Sequence, residues 1–277
     1  MDKTYKHGPY IAFKINDPKP RDIHKASVGD RIVHHAIYRI LYPYFDRKFI
    51  SDSYSCRVDK GIHRAVNRFR ILARKASKND TKTVWILKCD IKKFFASIDH
   101  LILRNELENH IADINTLWLL EQIIDSFHNK DRPGFGLPLG NLTSQLFINI
   151  YMNEFDGYVK RNLKVRYYIR YADDFVIFSQ DKEYLLGLIP RISEFLEVKL
   201  SLLLNPSKLS IKTLSSGVDF LGWVNFPHHR ILRTTTKKRM FRKLGRNRTE
   251  VNFNSYLGLL KHGNTYKLAR KIGAGMV

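Results

Sequence analysis

The sequence predicts an α+β fold in which an antiparallel sheet carries helices and a small helical region follows it. Three observations lead there. Val165 to Phe178 reads VRYYIRYADDFVIF, two runs of aromatic and β-branched residues flanking a two-acid step, which is the pattern of a tight hairpin. Thr83 to Leu87 (TVWIL) has the pattern of a buried strand and runs straight into Lys88-Cys89-Asp90. Between and after these stretches, apolar residues recur at helical spacing. Residues 228–277 combine 13 Lys or Arg with a single acid, Glu250, among Tyr256, Leu257, Leu259, Leu260, Tyr266 and Leu268.

Composition bounds the function. A chain of 277 residues with 44% hydrophobic and 12% aromatic residues can bury a sizeable core and is not a disordered tail. Lys and Arg number 48 against 26 Asp and Glu, a formal charge of +22 that calls for a polyanionic partner, nucleic acid first. A membrane surface fits less well, because the basic residues are spread along the chain and no basic amphipathic helix stands apart. Cys56 and Cys89 have no CxxC or His/Cys company, so neither a disulfide framework nor a zinc site is supported. No apolar run approaches the ~18 residues needed to span a bilayer and no signal peptide is visible, so the expected compartment is the cytoplasm.

Taken in order, residues 1–25 form a polar, extended arm biased by Pro18 and Pro20. From Asp30, DRIVHHAIYRILYPYF reads as an amphipathic helix closed by Pro43, and the adjacent His34 and His35 point to different faces as solvated or polar-packing residues. A second helix follows Gly61. Arg57 and Lys60 stand just before its start, where unpaired backbone N–H groups and basic side chains together suit a triphosphate. Asp90 lies at the end of the buried strand, and the segment IKKFFASIDHLILRNEL after it looks helical. Phe94 and Phe95 are core candidates. Leu117, Leu120, Ile123, Ile124 and Phe127 form structural helix, and the loop with Pro133, Gly134, Gly136, Pro138 and Gly140 leads into a long helix from Ser144. Its glycines would let backbone approach a ligand. Leu185 to Leu204 is again helical, ending at Asn205-Pro206.

Asp173 and Asp174 at a hairpin tip, with Asp90 on a neighbouring strand end, would bring three carboxylates together. Such a set is costly unless a cation neutralises it, and oxygen ligands of this kind suit Mg²⁺. Tyr171-Ala172-Asp173-Asp174 resembles the YxDD box of reverse transcriptases, and blocks resembling that family run in order over roughly residues 30–270. The resemblance implies a right-hand polymerase fold, with fingers and palm over 26–227 and a basic helical thumb over 228–277. It implies Asp90, Asp173 and Asp174 as catalytic metal ligands for two Mg²⁺ ions, Mn²⁺ being the alternative. Arg57, Lys60 and Lys208 would approach the triphosphate. Phe95 would crowd the sugar 2′-carbon, Tyr171 would lie beside the template-primer, and Phe220-Leu221-Gly222-Trp223 would grip the primer. The LPxGxxxSx block carries Leu139 and Gln145 where many relatives have Gln and Pro. That form resembles the enzymes of diversity-generating retroelements, and Leu139 near the incoming base would lower fidelity by removing a hydrogen bond.

The resemblance therefore implies RNA-directed DNA synthesis from an RNA template, a DNA or RNA primer and deoxynucleoside triphosphates. A structured cognate RNA and an oligomeric accessory variability protein are implied partners, and no membrane is. Alternatives are a retron-type or phage-defence reverse transcriptase, or a non-catalytic nucleic-acid-binding relative.

Overall fold

The computed structural model describes residues 3–16, 20–247 and 249–273. The N-terminal arm is not merely extended. β1 (Ile11–Ile15) and β2 (Arg21–Lys25) pair antiparallel, Phe13 opposite Ile23, because Ile11, Phe13 and Ile15 alternate with Ala12 and Lys14 at strand period. Pro18 lies outside the described residues. The hairpin docks through its backbone: the His24 N–H donates to the Leu139 carbonyl at 2.9 Å, and Asn141 Nδ2 donates to the His24 carbonyl at 2.8 Å.

α1 (Val28–Asp46) is capped by Ser27, whose hydroxyl accepts from the Asp30 N–H at 3.1 Å, and buries Ile37, Leu41 and Phe45. Pro43 does not close it. A proline in the last turn removes one N–H bond, and the helix continues to Asp46, where Tyr42 donates to the carboxylate at 2.8 Å. Of the two expected histidine environments, His34 takes the polar-packing one, buried with its Nε2 3.1 Å from His7 Nε2, and His35 the solvated one. α2 (Ile62–Ala76) follows Gly61 and turns Ala65, Phe69, Leu72 and Ala73 inward, with Arg64 and Arg70 outward.

β3 (Trp85–Asp90) is the central strand. The helix expected directly after it starts late, at α3 (His100–Glu108), with a 3₁₀ turn at Phe94–Ser97 between. Lys93 explains the delay: held in the left-handed region at φ +47, it breaks any helix begun at Ile91, while the Ile91 N–H donates to the Asp173 carbonyl at 3.2 Å and the Lys92 N–H to the Leu203 carbonyl at 2.8 Å. Asp99 then caps α3 by accepting from the Leu101 N–H at 2.9 Å. α4 (Ile114–Asp125) and α5 (Leu142–Gly157) complete this half, α5 being buried nearly all round.

β4 (Tyr168–Tyr171) and β5 (Asp174–Ser179) form the expected hairpin, α6 (Lys182–Leu200) follows, and β6 (Ser210–Thr213) closes an antiparallel sheet of order β4-β5-β3-β6. One face, with Leu87, Cys89, Tyr168, Phe175 and Ile177, packs on α5 and α6 in the main core. The other, with Ile86, Ile169, Val176 and Phe178, packs on Phe69 and Leu72 of α2. Strand alternation puts Lys88, Asp90, Tyr171 and Asp174 on this second face.

β7 (Val218–Phe220), β8 (Trp223–Asn225) and β9 (Arg230–Leu232) make a small meander, and α7 (Thr234–Arg246), α8 (Glu250–Leu260) and α9 (Tyr266–Gly273) complete the chain. Met240 and Leu244 of α7 face inward while Lys237, Lys238, Arg242 and Lys243 face solvent. The composition shift at residue 228 cuts through the β8–β9 ladder, and Trp223 and Val66, on the other side of that boundary, sit in the same apolar cluster as Leu232, Met240, Phe253 and Leu260. Among the described residues, no helix is long and apolar enough to cross a membrane.

A Cβ on Gly263 would overlap the Trp223 ring. Gly263→Ala is therefore expected to lower unfolding stability by roughly 1–3 kcal/mol through overpacking. Urea denaturation measures the loss, and limited proteolysis should show earlier cleavage in residues 226–273 than in the wild type.

Candidate active site

The β4–β5 register pairs Tyr171 with Asp174, leaving Ala172 and Asp173 as the turn. Ala172 has φ +53, a left-handed conformation that costs a non-glycine residue roughly 1 kcal/mol. A buried ion pair holds it there. Arg170 Nε and Nη2 donate to Asp156 Oδ1 and Oδ2 at 2.8 and 2.7 Å, Nη1 donates to the Ala172 carbonyl at 3.1 Å, and Nη2 also donates to Ser53 Oγ at 3.1 Å. Tyr168 adds a hydroxyl donor to Asp156 Oδ1 at 2.7 Å, and both charged side chains are fully buried. Each nitrogen of the fork thus has a partner, which is what makes a buried guanidinium tolerable. Backbone bonds from the Arg170 N–H to the Asp52 carbonyl (2.9 Å) and from the Tyr54 N–H to the Arg170 carbonyl (3.0 Å) tie the same strand to the segment before α2.

Asp90 is the last residue of β3 and lies directly opposite Asp174. Asp90, Asp173 and Asp174 therefore meet at one end of the sheet, on two hydrogen-bonded strands. Burial, then the Asp90 charge, pushes the Asp173 carboxyl up to about 6. Burial also raises Asp174, against the pull of Lys88. Two lysines sit among them. Lys208 Nζ donates to both Asp90 oxygens at 2.6 Å, and Lys88 Nζ stands 3.6 Å from Asp174 Oδ1, an oxygen that has no hydrogen-bond partner. Asp90 and Asp174 are drawn toward different ammonium groups, and among the described residues no three His, Cys, Asp or Glu side chains converge on one metal position. The donor chemistry nevertheless suits a hard divalent cation: all-oxygen ligands, two of them desolvated and raised, one with an orphaned oxygen.

The other predicted residues divide sharply. Arg57 is not poised for a triphosphate, because its side chain is 5% exposed and donates to the Asp46 carboxylate (2.7 Å) and to the Asp46, Ile50 and Ser53 carbonyls. Lys60 is freer, its Nζ donating to the Ser51 carbonyl at 2.8 Å over the Tyr54 ring. Phe95 is half-buried beside buried Phe94, and Leu139 and Gln145 are half-buried at the start of α5. Gly140 of that loop serves packing, since a Cβ there would come within 2.8 Å of Ile23 Cγ2 in the N-terminal hairpin, whereas a Cβ on Gly134 would meet nothing within 4 Å. Tyr171 is half-buried on the carboxylate face.

Phe220 and Trp223 are core residues, Phe220 stacked on Phe69 and Trp223 in the cluster of the C-terminal helices. Neither side chain can reach a primer. What remains accessible is the turn between them, Leu221 (φ +50) and Gly222 (φ +88), the primed hairpin geometry that glycine favours. Sequence reading missed Asp156, Arg170, Ser53 and Asn205. Lys88 offered a signal, being a lysine inside a buried-strand run.

A palm-like sheet with strand-end carboxylates, a basic helical unit beside it and helices behind is the arrangement of right-hand nucleic-acid polymerases. The fold comparison agrees: telomerase of Candida tropicalis in complex with a fragment of telomeric RNA superposes with TM-score 0.65, covering 98% of this chain and 55% of that one at 12% identity. The apo form of that telomerase gives 0.62 over 87% of this chain and 51% of its own. Within that class, the pattern of the family described as reverse transcriptase (RNA-dependent DNA polymerase) matches residues 14–225, and the chain belongs to this family. Relatives include Protein YkfC of Escherichia coli K12, 26% identical over 269 residues, 83% of this chain and 68% of that protein. The group II intron-encoded protein LtrA of Lactococcus lactis subsp. cremoris is 26% identical over 174 residues, 60% of this chain and 28% of its own length.

Two substitutions test the site's construction. Asp156→Ala strands a buried guanidinium and is expected to cost roughly 3–5 kcal/mol in urea unfolding. Asp173→Asn should instead melt higher than wild type at pH 7 in chelator, by roughly 1–2 kcal/mol once partial exposure is discounted. A carboxyl whose folded pKa, about 6, exceeds its unfolded 3.8 loses stability as pH rises through that window, so the mutant's advantage should shrink as pH falls toward 4.

Proposed function

We propose that the chain is an RNA-directed DNA polymerase that extends a primer on an RNA template, and that its form is that of a diversity-generating retroelement. The observation that carries the polymerase reading is the Asp90–Asp174 register with Asp173 at the adjoining tip. Asp90, Asp173 and Asp174 would hold the divalent ions, Mg²⁺ or Mn²⁺. Bound there, such ions supply charge neutralisation at the attacking 3′-hydroxyl and the leaving pyrophosphate.

The chain's own residues do the rest. The Arg170–Asp156 clamp fixes the tip relative to β3, so the carboxylates are presented without reorganisation. Lys208 and Lys60 are the cations placed to meet a triphosphate. Tyr171 and the Leu221-Gly222 turn offer surfaces to the template-primer, and the exposed Lys237, Lys238, Arg242 and Lys243 offer charge to its phosphates. Phe95 would discriminate against a ribose 2′-hydroxyl. Leu139 and Gln145 support the error-prone branch, in which a structured RNA and an accessory protein would assist. The likeness to intron-encoded LtrA favours a second reading, a faithful intron-type enzyme.

Primer extension on an RNA template with Mg²⁺ and four deoxynucleotides decides between them. Asp173→Asn should reduce extension by on the order of 100-fold or more. Errors clustered opposite template adenines would support the retroelement form, uniform accuracy the intron type. Extension by Asp173→Asn at the wild-type rate would overturn the polymerase assignment.

A further inference from the structure

Asp90 is the one carboxylate of the site with both oxygens already engaged by a cation of the chain itself. Lys208 Nζ lies 2.6 Å from each, and Asn205 Nδ2 stands 3.4 Å from Oδ1. Lys208 comes from the 3₁₀ turn Pro206–Lys208, which is fastened to the strand end by the Asn205 N–H donating to the Asp90 carbonyl at 2.8 Å. The lysine's backbone is therefore fixed while its side chain is 42% exposed, against 7% for Asp90. Lys88 differs in every respect. It projects from the middle of β3, is 16% exposed, and keeps a longer contact with Asp174.

We propose that Lys208 is an exchangeable counter-ion that competes with a divalent cation for Asp90, so that ion binding releases its ammonium into the cleft. This rests on the polymerase reading of the site. A single ammonium cannot share both oxygens of one carboxylate at 2.6 Å with a metal ion, because the two cations would repel at that range. Binding of the ion and release of the lysine are then one event. The released ammonium has a destination in the polyphosphate of an incoming nucleotide, which makes nucleotide and ion capture mutually reinforcing. Lys88 stays beside Asp174, so of the three carboxylates Asp174 keeps a cation of the chain while Asp90 is balanced by whichever cation is present.

The test is Mn²⁺ binding to the full chain, free of nucleotide and nucleic acid, followed by electron paramagnetic resonance of the unbound ion. Lys208→Ala removes the competitor and should bind Mn²⁺ about tenfold more tightly than wild type. Lys208→Arg keeps a competing cation, one whose fork can engage both Asp90 oxygens, and should bind Mn²⁺ no more tightly than wild type. Circular dichroism melting confirms that each variant is folded. Unchanged or weaker Mn²⁺ binding by folded Lys208→Ala would overturn the proposal. Because no nucleotide is present, that outcome bears on the competition alone, and the polymerase reading stands or falls separately on primer extension.

Discussion

The buried pair of Arg170 and Asp156 is the constraint on which the rest of the site depends. A guanidinium in the core is tolerable only when its nitrogens find partners, and here Asp156, Ser53 and the Ala172 carbonyl give each nitrogen at least one. Those partners come from α5, from the segment before α2, and from the turn itself. One side chain thus couples the back of the sheet, its neighbour on the α2 side and the strained residue at the hairpin tip. The left-handed Ala172 is the local cost of aiming Asp173 and Asp174 at the end of β3, and the ion pair is what makes that conformation persistent.

Charge organises the other side of the tip. Burial raises the proton affinity of Asp173 and Asp174, and the neighbouring Asp90 charge adds to the effect. The fold answers with two lysines of different mobility, one anchored in a strand and one on a short turn. Part of the chain's excess positive charge lies on the outer face of α7, where Lys237, Lys238, Arg242 and Lys243 are exposed.

Much of this was legible in the sequence. The hairpin, the strand ending at Asp90, the order of the helices and the amphipathic C-terminal unit follow from period-two and period-3.6 patterns, which depend on local burial alone. What failed to show depends on distant partners. Arg57 reads as a free cation beside a helix start, yet Asp46 and three carbonyls claim it. Phe220 and Trp223 read as a primer contact, yet α2 and the C-terminal helices bury them. The segment after Asp90 has helical composition, but the chain turns left-handed at Lys93 while Asp173 and Leu203 tie down the two residues before it. The N-terminal arm hid its strand pairing because both strands are short and largely exposed. Asp156 and Arg170 carry no local signature, since only the fold brings them together.

The central claim is that the tip of the β4–β5 hairpin and the end of β3 form one divalent-ion site on a polymerase palm. Iron-mediated hydroxyl-radical cleavage of the chain, with Fe²⁺ replacing Mg²⁺ in the presence of an RNA–DNA primer-template and a non-hydrolysable deoxynucleotide, reads the position of the ion directly. The account predicts backbone cuts confined to residues flanking Asp90 and Ala172–Asp174, suppressed by excess Mg²⁺. Cuts clustered elsewhere, or none near either strand end while nucleic acid is bound, would contradict it.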